Sequence, residues 1–194
     1  MGGRAGGGAG MGSRSGGGGI ARGETEAGYS ATMARSVLKA ESNIKGEKNE
    51  HAVIFNDDGS IAFEKEGTGH GVTFNGKRAT DKVMTHNHPG PDAPFSSSDL
   101  RDVVKFNMKE MRAVSRNYTF SVKRPKNGWG SINPESVMRT YGSIKRQVAK
   151  EWAPRFDKVS SGAPMRKEYF KSQIEVQNRL AKKYGWDFSY KKNS

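Results

Sequence analysis

Within fourteen positions the chain sets two histidines, a serine and an aspartate in the run His86-Asn87-His88-Pro89-Gly90-Pro91-Asp92-Ala93-Pro94-Phe95-Ser96-Ser97-Ser98-Asp99. On a strand, side chains at i and i+2 leave the same face, so both imidazoles can reach one ion. Two imidazoles and a carboxylate, with a fourth position left to water, are the usual donors of a hydrolytic zinc site. Asp99, at the start of the following helix, supplies that carboxylate once the Pro/Gly loop folds back. Taken singly, each element has an ordinary reading. A His-x-His pair is more often surface or core histidine than ligand, and Ser96-x-x-Asp99 is also a capping box, with an acid favoured in a first helical turn. The conjunction at one spacing is what points to a metal.

That spacing resembles the JAMM motif of the MPN/JAB metallopeptidase family: His-x-His, seven residues, Ser, two residues, Asp. The His-Asn-His-Pro wording is similar to the prokaryotic branch, which includes RadC-like proteins and JAB-like modules of phage head-morphogenesis and tail-assembly proteins. The resemblance covers about residues 41–125. It implies an MPN/JAB (cytidine-deaminase-like) core and one zinc ion per chain, held by His86, His88 and Asp99. It also implies hydrolysis of a peptide or isopeptide bond in a peptide or protein substrate, an extended C-terminal tail among the candidates. Ser96 would donate a hydrogen bond to the oxyanion. The family's upstream glutamate, which takes a proton from the attacking water, matches Glu50, just before a strand over 51–55; Glu41 and Glu47 serve instead if that strand begins earlier. Glu64 and Glu66 lie on the return strand, and His51 and His70 match no family position. The same likeness implies a phage-associated protein, in the cytoplasm of a bacterial or infected cell or on the virion. The loop 90–95 lacks the common Pro-Ser pair before the helix, which leaves substrate preference open.

The elements that must position these residues follow from periodicity. Apolar spacing predicts a helix over 30–44. A strand over 51–55, a turn at Asn56-Asp57-Asp58-Gly59 and a return strand over 60–66 form a hairpin, since Asp-Gly between two strand-like runs favours a positive-φ turn. Further strands are predicted over 71–74 and 82–85, the latter leading into the histidines. A helix capped by Ser96 or Ser97 should run to about 109, followed by strands over 111–114 and 118–122. Asn133-Pro134 opens a helix with a cap and a first-position proline, stopped by Pro154; a last helix over 164–184 closes at Gly185. The fold class is therefore α/β (α+β), a mixed sheet sandwiched by helices. Its expected organisation is a Gly-rich disordered tail over 1–25, a JAB/MPN-like domain over 30–130 and a basic helical extension over 133–194.

Composition narrows the chemistry. None of the 194 residues is cysteine, which excludes thiolate metal sites, cysteine nucleophiles and disulfides and leaves His and carboxylate as metal donors. Twelve of the 25 glycines fall in residues 1–23, a stretch that cannot offset its ordering entropy by burial and reads as a linker or a cut edge. Apolar runs are short, so no membrane partner is expected. Of the net charge of +13, residues 41–100 carry −4 and residues 101–194 carry +14. A basic C-terminal half attracts acidic partners, nucleic acid among them, or keeps the chain soluble. The alternative function is accordingly a catalytically silent JAB-fold module, structural or nucleic-acid-binding, acting through that half. Trp129, Trp152, Tyr169, Tyr184 and Trp186 would suit base stacking, but most fall at helical core spacing.

Overall fold

A computed structural model describes residues 29–193; the tail expected over 1–25 lies outside them. Four α-helices and six strands occur in the order α1 (Ala31–Ile44), β1 (His51–Phe55), β2 (Ile61–Glu66), β3 (Val83–Asn87), α2 (Ser97–Lys105), β4 (Glu110–Val114), β5 (Tyr118–Lys123), α3 (Pro134–Phe156), α4 (Ala163–Tyr184) and β6 (Asp187–Lys192). The strands make one mixed sheet, ordered β2-β1-β3-β4-β5-β6, in which only β3 and β4 are parallel. Their connection runs through α2, as a parallel pair requires.

Strand alternation sorts the core into two layers. Val53, Phe55 and Val83 face α1 and pack with Met33, Val37 and Ala40. Their neighbours Ala52, Ile54, Met84, Met111, Ala113, Phe120 and Val122 face the other way, toward α2, α3 and α4. The sheet is thus covered on both sides, and β3, at its centre, is buried at every position.

The β1–β2 hairpin forms as the sequence predicts. The turn closes from Gly59 N–H to Asn56 C=O at 2.9 Å. Gly59 has φ +87°, and a Cβ there would stand 3.0 Å from the Met33 backbone, so glycine serves both the turn and its seat against α1.

Four local expectations are corrected. Residues 71–74 form no strand; Gly71 makes only an isolated bridge with Thr68. Helix α2 ends at Lys105, because Asn107 turns the chain at φ 50° and Met108 drops into the core beneath it. Pro154 lies inside α3 and does not stop it: only the last turn loses a donor there, and buried Trp152 with Phe156 against it keeps that turn packed. The segment 133–194 is not purely helical. Its final strand, β6, pairs with β5 over six residues and brings Tyr190 onto Phe120 and Phe188 onto Phe95. Helices α3 and α4 share the larger core with the sheet.

The three tryptophans are 5–9 % exposed, so they are core residues. Tyr184 stacks on Trp186, and Tyr169 alone of the five aromatics stands well out of the surface. No described helix is long and apolar enough to cross a membrane.

Candidate metal centre

His86 and His88 leave the end of β3 on the face covered by α2. In α/β sheets this is where ligands bind, beyond the carboxyl ends of the strands. Their Nε2 atoms stand 3.0 Å apart. Asp99, at the third position of α2, closes the triangle, with Oδ1 3.7 Å from His86 Nε2 and Oδ2 3.4 Å from His88 Nε2. One donor atom from each of the three lies within 4.8 Å of the others. The group is mostly buried: His86 is 1 % and His88 7 % exposed, while the Asp99 carboxylate is partly exposed and Ser96 beside it is exposed.

Capping and ligation prove to be one geometry. Ser96 caps α2, accepting from Asp99 N–H at 3.2 Å, while Ser96 N–H donates to Asp99 Oδ2 at 2.7 Å. The capping box therefore fixes the Asp99 rotamer that aims the carboxylate at the imidazoles. Ser96 Oγ also lies 2.8 Å from Asp99 Oδ2 and from Ser98 Oγ.

The donor set fits a cation. His88 Nδ1 lies 3.0 Å from the Ala93 carbonyl, a contact only an Nδ1–H can make. With Nδ1–H committed there, Nε2 is the nitrogen that is freed when His88 gives up its second proton, as in metal-ligating histidines. Two ring nitrogens and a carboxylate oxygen converging on one point, with no cysteine in the chain, make an N/N/O site suited to zinc and other divalent ions. His86 Nδ1 is buried with no partner among the described residues.

Without a cation, His88 and Asp99 stabilise each other's charged forms. Burial alone would push the Asp99 carboxyl up, but the charges and hydrogen bonds of His86 and His88 hold it well below the usual carboxylate range. Burial likewise pulls His88 down. The hydrogen bond and charge of Asp99 outweigh it, the Ala93 carbonyl and the charge of Glu50 add to them, and His88 rises to about 9. Tyr141, across α2, is pushed up to about 12 by burial and by the negative charge of Asp99.

The glutamates separate cleanly. Glu50, half-buried, precedes β1, and its charge is felt at His88. Glu41 lies on the other side of the sheet. Thr85, whose side chain leaves β3 opposite to His86, donates to it at 3.3 Å, and Arg112 Nε reaches it at 2.6 Å. Glu47 is exposed and takes part through its backbone carbonyl. Glu64 meets His51 at 3.2 Å on the edge hairpin, and Glu66 accepts from Asn49. His70 is exposed in its turn.

Several supporting residues gave no signal in the sequence. Asn87, fully buried between the two histidines, points to the opposite face, where its Oδ1 accepts from His51 N–H at 2.7 Å. Its Nδ2 donates to the carbonyls of Glu47 and Asn49 at 3.3 and 3.0 Å. It clamps the segment that carries Glu50 to the strand that carries the histidines. The loop 90–96 is held from two other sides. Gln177 of α4, buried, donates to the Phe95 carbonyl at 2.8 Å, and Asn117 donates to the Pro91 carbonyl at 2.9 Å through its backbone and to Asp92 at 2.8 Å through its amide. Only the proximity of Asn87 to the histidines could have drawn attention to any of them.

No family model matches the chain, and neither does any curated protein or solved structure.

Proposed function

We propose that the chain is a zinc-dependent peptidase or isopeptidase of JAMM type, built on an MPN/JAB-like core. The observation that carries this reading is the convergence of His86 Nε2, His88 Nε2 and an Asp99 oxygen beside the exposed Ser96, with Glu50 close enough for its charge to act on His88. His86, His88 and Asp99 would hold one zinc ion, which when bound supplies Lewis acidity and lowers the pKa of water at the site toward neutrality.

The chain's own residues do the rest. Glu50 takes a proton from the attacking water and delivers it to the leaving amine, a transfer that needs a carboxylate held close by, which the Asn87 clamp provides. The Ser96 hydroxyl, within hydrogen-bond reach of Asp99 and Ser98, would donate a hydrogen bond to the oxyanion of the amide under attack and keep its proton. Ala93 holds His88 in the tautomer that leaves Nε2 free.

The first test is metal content by elemental mass spectrometry of the purified full chain beside the double variant His86→Ala, His88→Ala. About one zinc per wild-type chain and none in the variant is expected; a folded wild type that takes up no zinc under metal-replete conditions overturns the reading. Glu50→Gln should then keep its zinc while hydrolysis of a peptide or isopeptide substrate falls by about 10²–10⁴-fold, the usual range for loss of a general base. A Glu50→Gln chain that hydrolyses as fast as wild type removes Glu50 from that role.

A further inference from the structure

Beside the metal centre lies a cavity of about 570 Å³, within the size range of small-ligand sites. One wall is the loop between β3 and α2, including Pro94. The other is built by the C-terminal helices: Tyr141 and Phe156 of α3, and Met165, Tyr169 and Phe170 of α4. The lining is largely apolar and aromatic, yet the cavity is open. Tyr169 is 56 % exposed, the most exposed large hydrophobic side chain among the described residues.

The cavity and the metal centre share structure. Ser96, which contacts Asp99, also lines the cavity, and so does Ala93, whose carbonyl holds His88. A polypeptide with an amide over Ser96 and Asp99 therefore places a neighbouring side chain at the cavity mouth. The shared wall is fixed before anything binds, because Gln177 and Asn117 hold the loop from either side. A preformed apolar pocket whose wall continues into a set of hydrolytic donors is suited to selecting a residue.

We propose that this cavity is the side-chain pocket of the substrate site, receiving one large apolar side chain, Phe, Tyr, Leu or Met, of a peptide that lies across the metal centre. The choice of substrate then falls to helices α3 and α4, which contribute no candidate ligand. The proposal rests on the peptidase reading for the position of the amide, and on the cavity for the side chain.

The test compares two capped pentapeptides, acetyl-Gly-Gly-Phe-Gly-Gly-amide and its Ala counterpart, binding to the zinc-loaded full chain. Affinity is followed by NMR through the methionine methyl groups. Burial of one aromatic side chain predicts at least about tenfold tighter binding of the Phe peptide, with the Met165 methyl shifted. Met165→Trp, which fills the cavity from a half-buried helix position, should abolish the preference. Tyr169→Ala, at a position exposed enough to spare the core, should reduce it several-fold and serves if the tryptophan variant does not fold. Equal affinity for the two peptides, or a preference unchanged by both variants, overturns the pocket. Cleavage is read separately. A chain that prefers the Phe peptide and cleaves no substrate keeps the pocket and loses the peptidase reading, whereas cleavage with no preference at this position does the reverse.

Discussion

At the scale of single residues, the metal-free centre is an ion pair waiting to be exchanged for a cation. His88, raised to about 9, is protonated at neutral pH and faces an Asp99 carboxylate held well below its ordinary range. Both shifts express one interaction and are not to be counted twice. A folded-state pKa above the unfolded value of about 6.5 means that the proton on His88 favours the fold below that pH. The contribution is lost as pH rises from about 6.5 through 9. Zinc needs the same Nε2 as a lone pair, so uptake must expel the proton. Across this window the metal-free chain should lose thermal stability as pH rises, while zinc affinity increases. Near pH 7.5, uptake should release close to one proton per ion. Calorimetry in buffers of different ionisation enthalpy reads the proton, and melts of the two forms read the opposite slopes; zinc affinity flat from pH 6.5 to 9 would show that uptake expels no proton from His88.

Among the elements, β3 does the most, because its two faces serve different ends. His86 and His88 leave one face for α2; Thr85 and Asn87 leave the other, where Thr85 meets Glu41 and Asn87 ties down the entry to β1. The histidines were legible because i, i+2 spacing on a strand has few other uses together with Ser96 and Asp99 at the right distance. Asn87 was not, since its role depends on backbone groups about forty positions away that only pairing of β1 with β3 brings near. The same division holds for whole elements. The β1–β2 hairpin carries its signal locally, in Asn56-Asp57-Asp58-Gly59. Strand β6 does not: Asp187-Phe188-Ser189-Tyr190-Lys191-Lys192 is short and half polar, and it is a strand because β5 offers an edge. Glu41 and Glu50 were indistinguishable by type and became separable only once α1 was placed opposite to α2. Asn87→Leu, similar in shape but without the three hydrogen bonds, should cost about 1–3 kcal/mol in stability, as buried backbone groups lose partners. Hydrolysis should fall more than zinc affinity does, because the variant loosens Glu50 and leaves the ligands on β3. Chemical denaturation beside metal titration and rate measurement separates the effects; equal losses of zinc affinity and rate would mean that Asn87 supports the ligands instead.

For the whole molecule, the question is whether the part after residue 132 is an appendage or a support. Charge alone suggested an appendage, since most of the excess Lys and Arg lies after residue 100. Packing favours a support. Strand β6 covers the edge of β5 and brings Phe188 onto Phe95, in the loop between the ligands. Buried Gln177 holds the carbonyl of the same Phe95, and Val137, Val148, Ile174 and Leu180 belong to the core that includes Leu100 and Val103 of α2. Without these contacts Asp99 would sit on a helix with one side uncovered, at the end of a loop held by Asn117 and His88 but no longer from the side of α4 and β6. A chain of residues 29–132 should therefore bind zinc at least about tenfold more weakly than the full chain, because ligands that are not preorganised must be ordered on binding. It should also expose the apolar face of the sheet, binding a hydrophobic dye or associating at micromolar concentration. Zinc titration and sedimentation of the two chains decide the matter. If the short chain is monomeric and binds zinc as the full chain does, the first 132 residues make the site alone, and α3 and α4 are left with the substrate pocket as their only link to the chemistry.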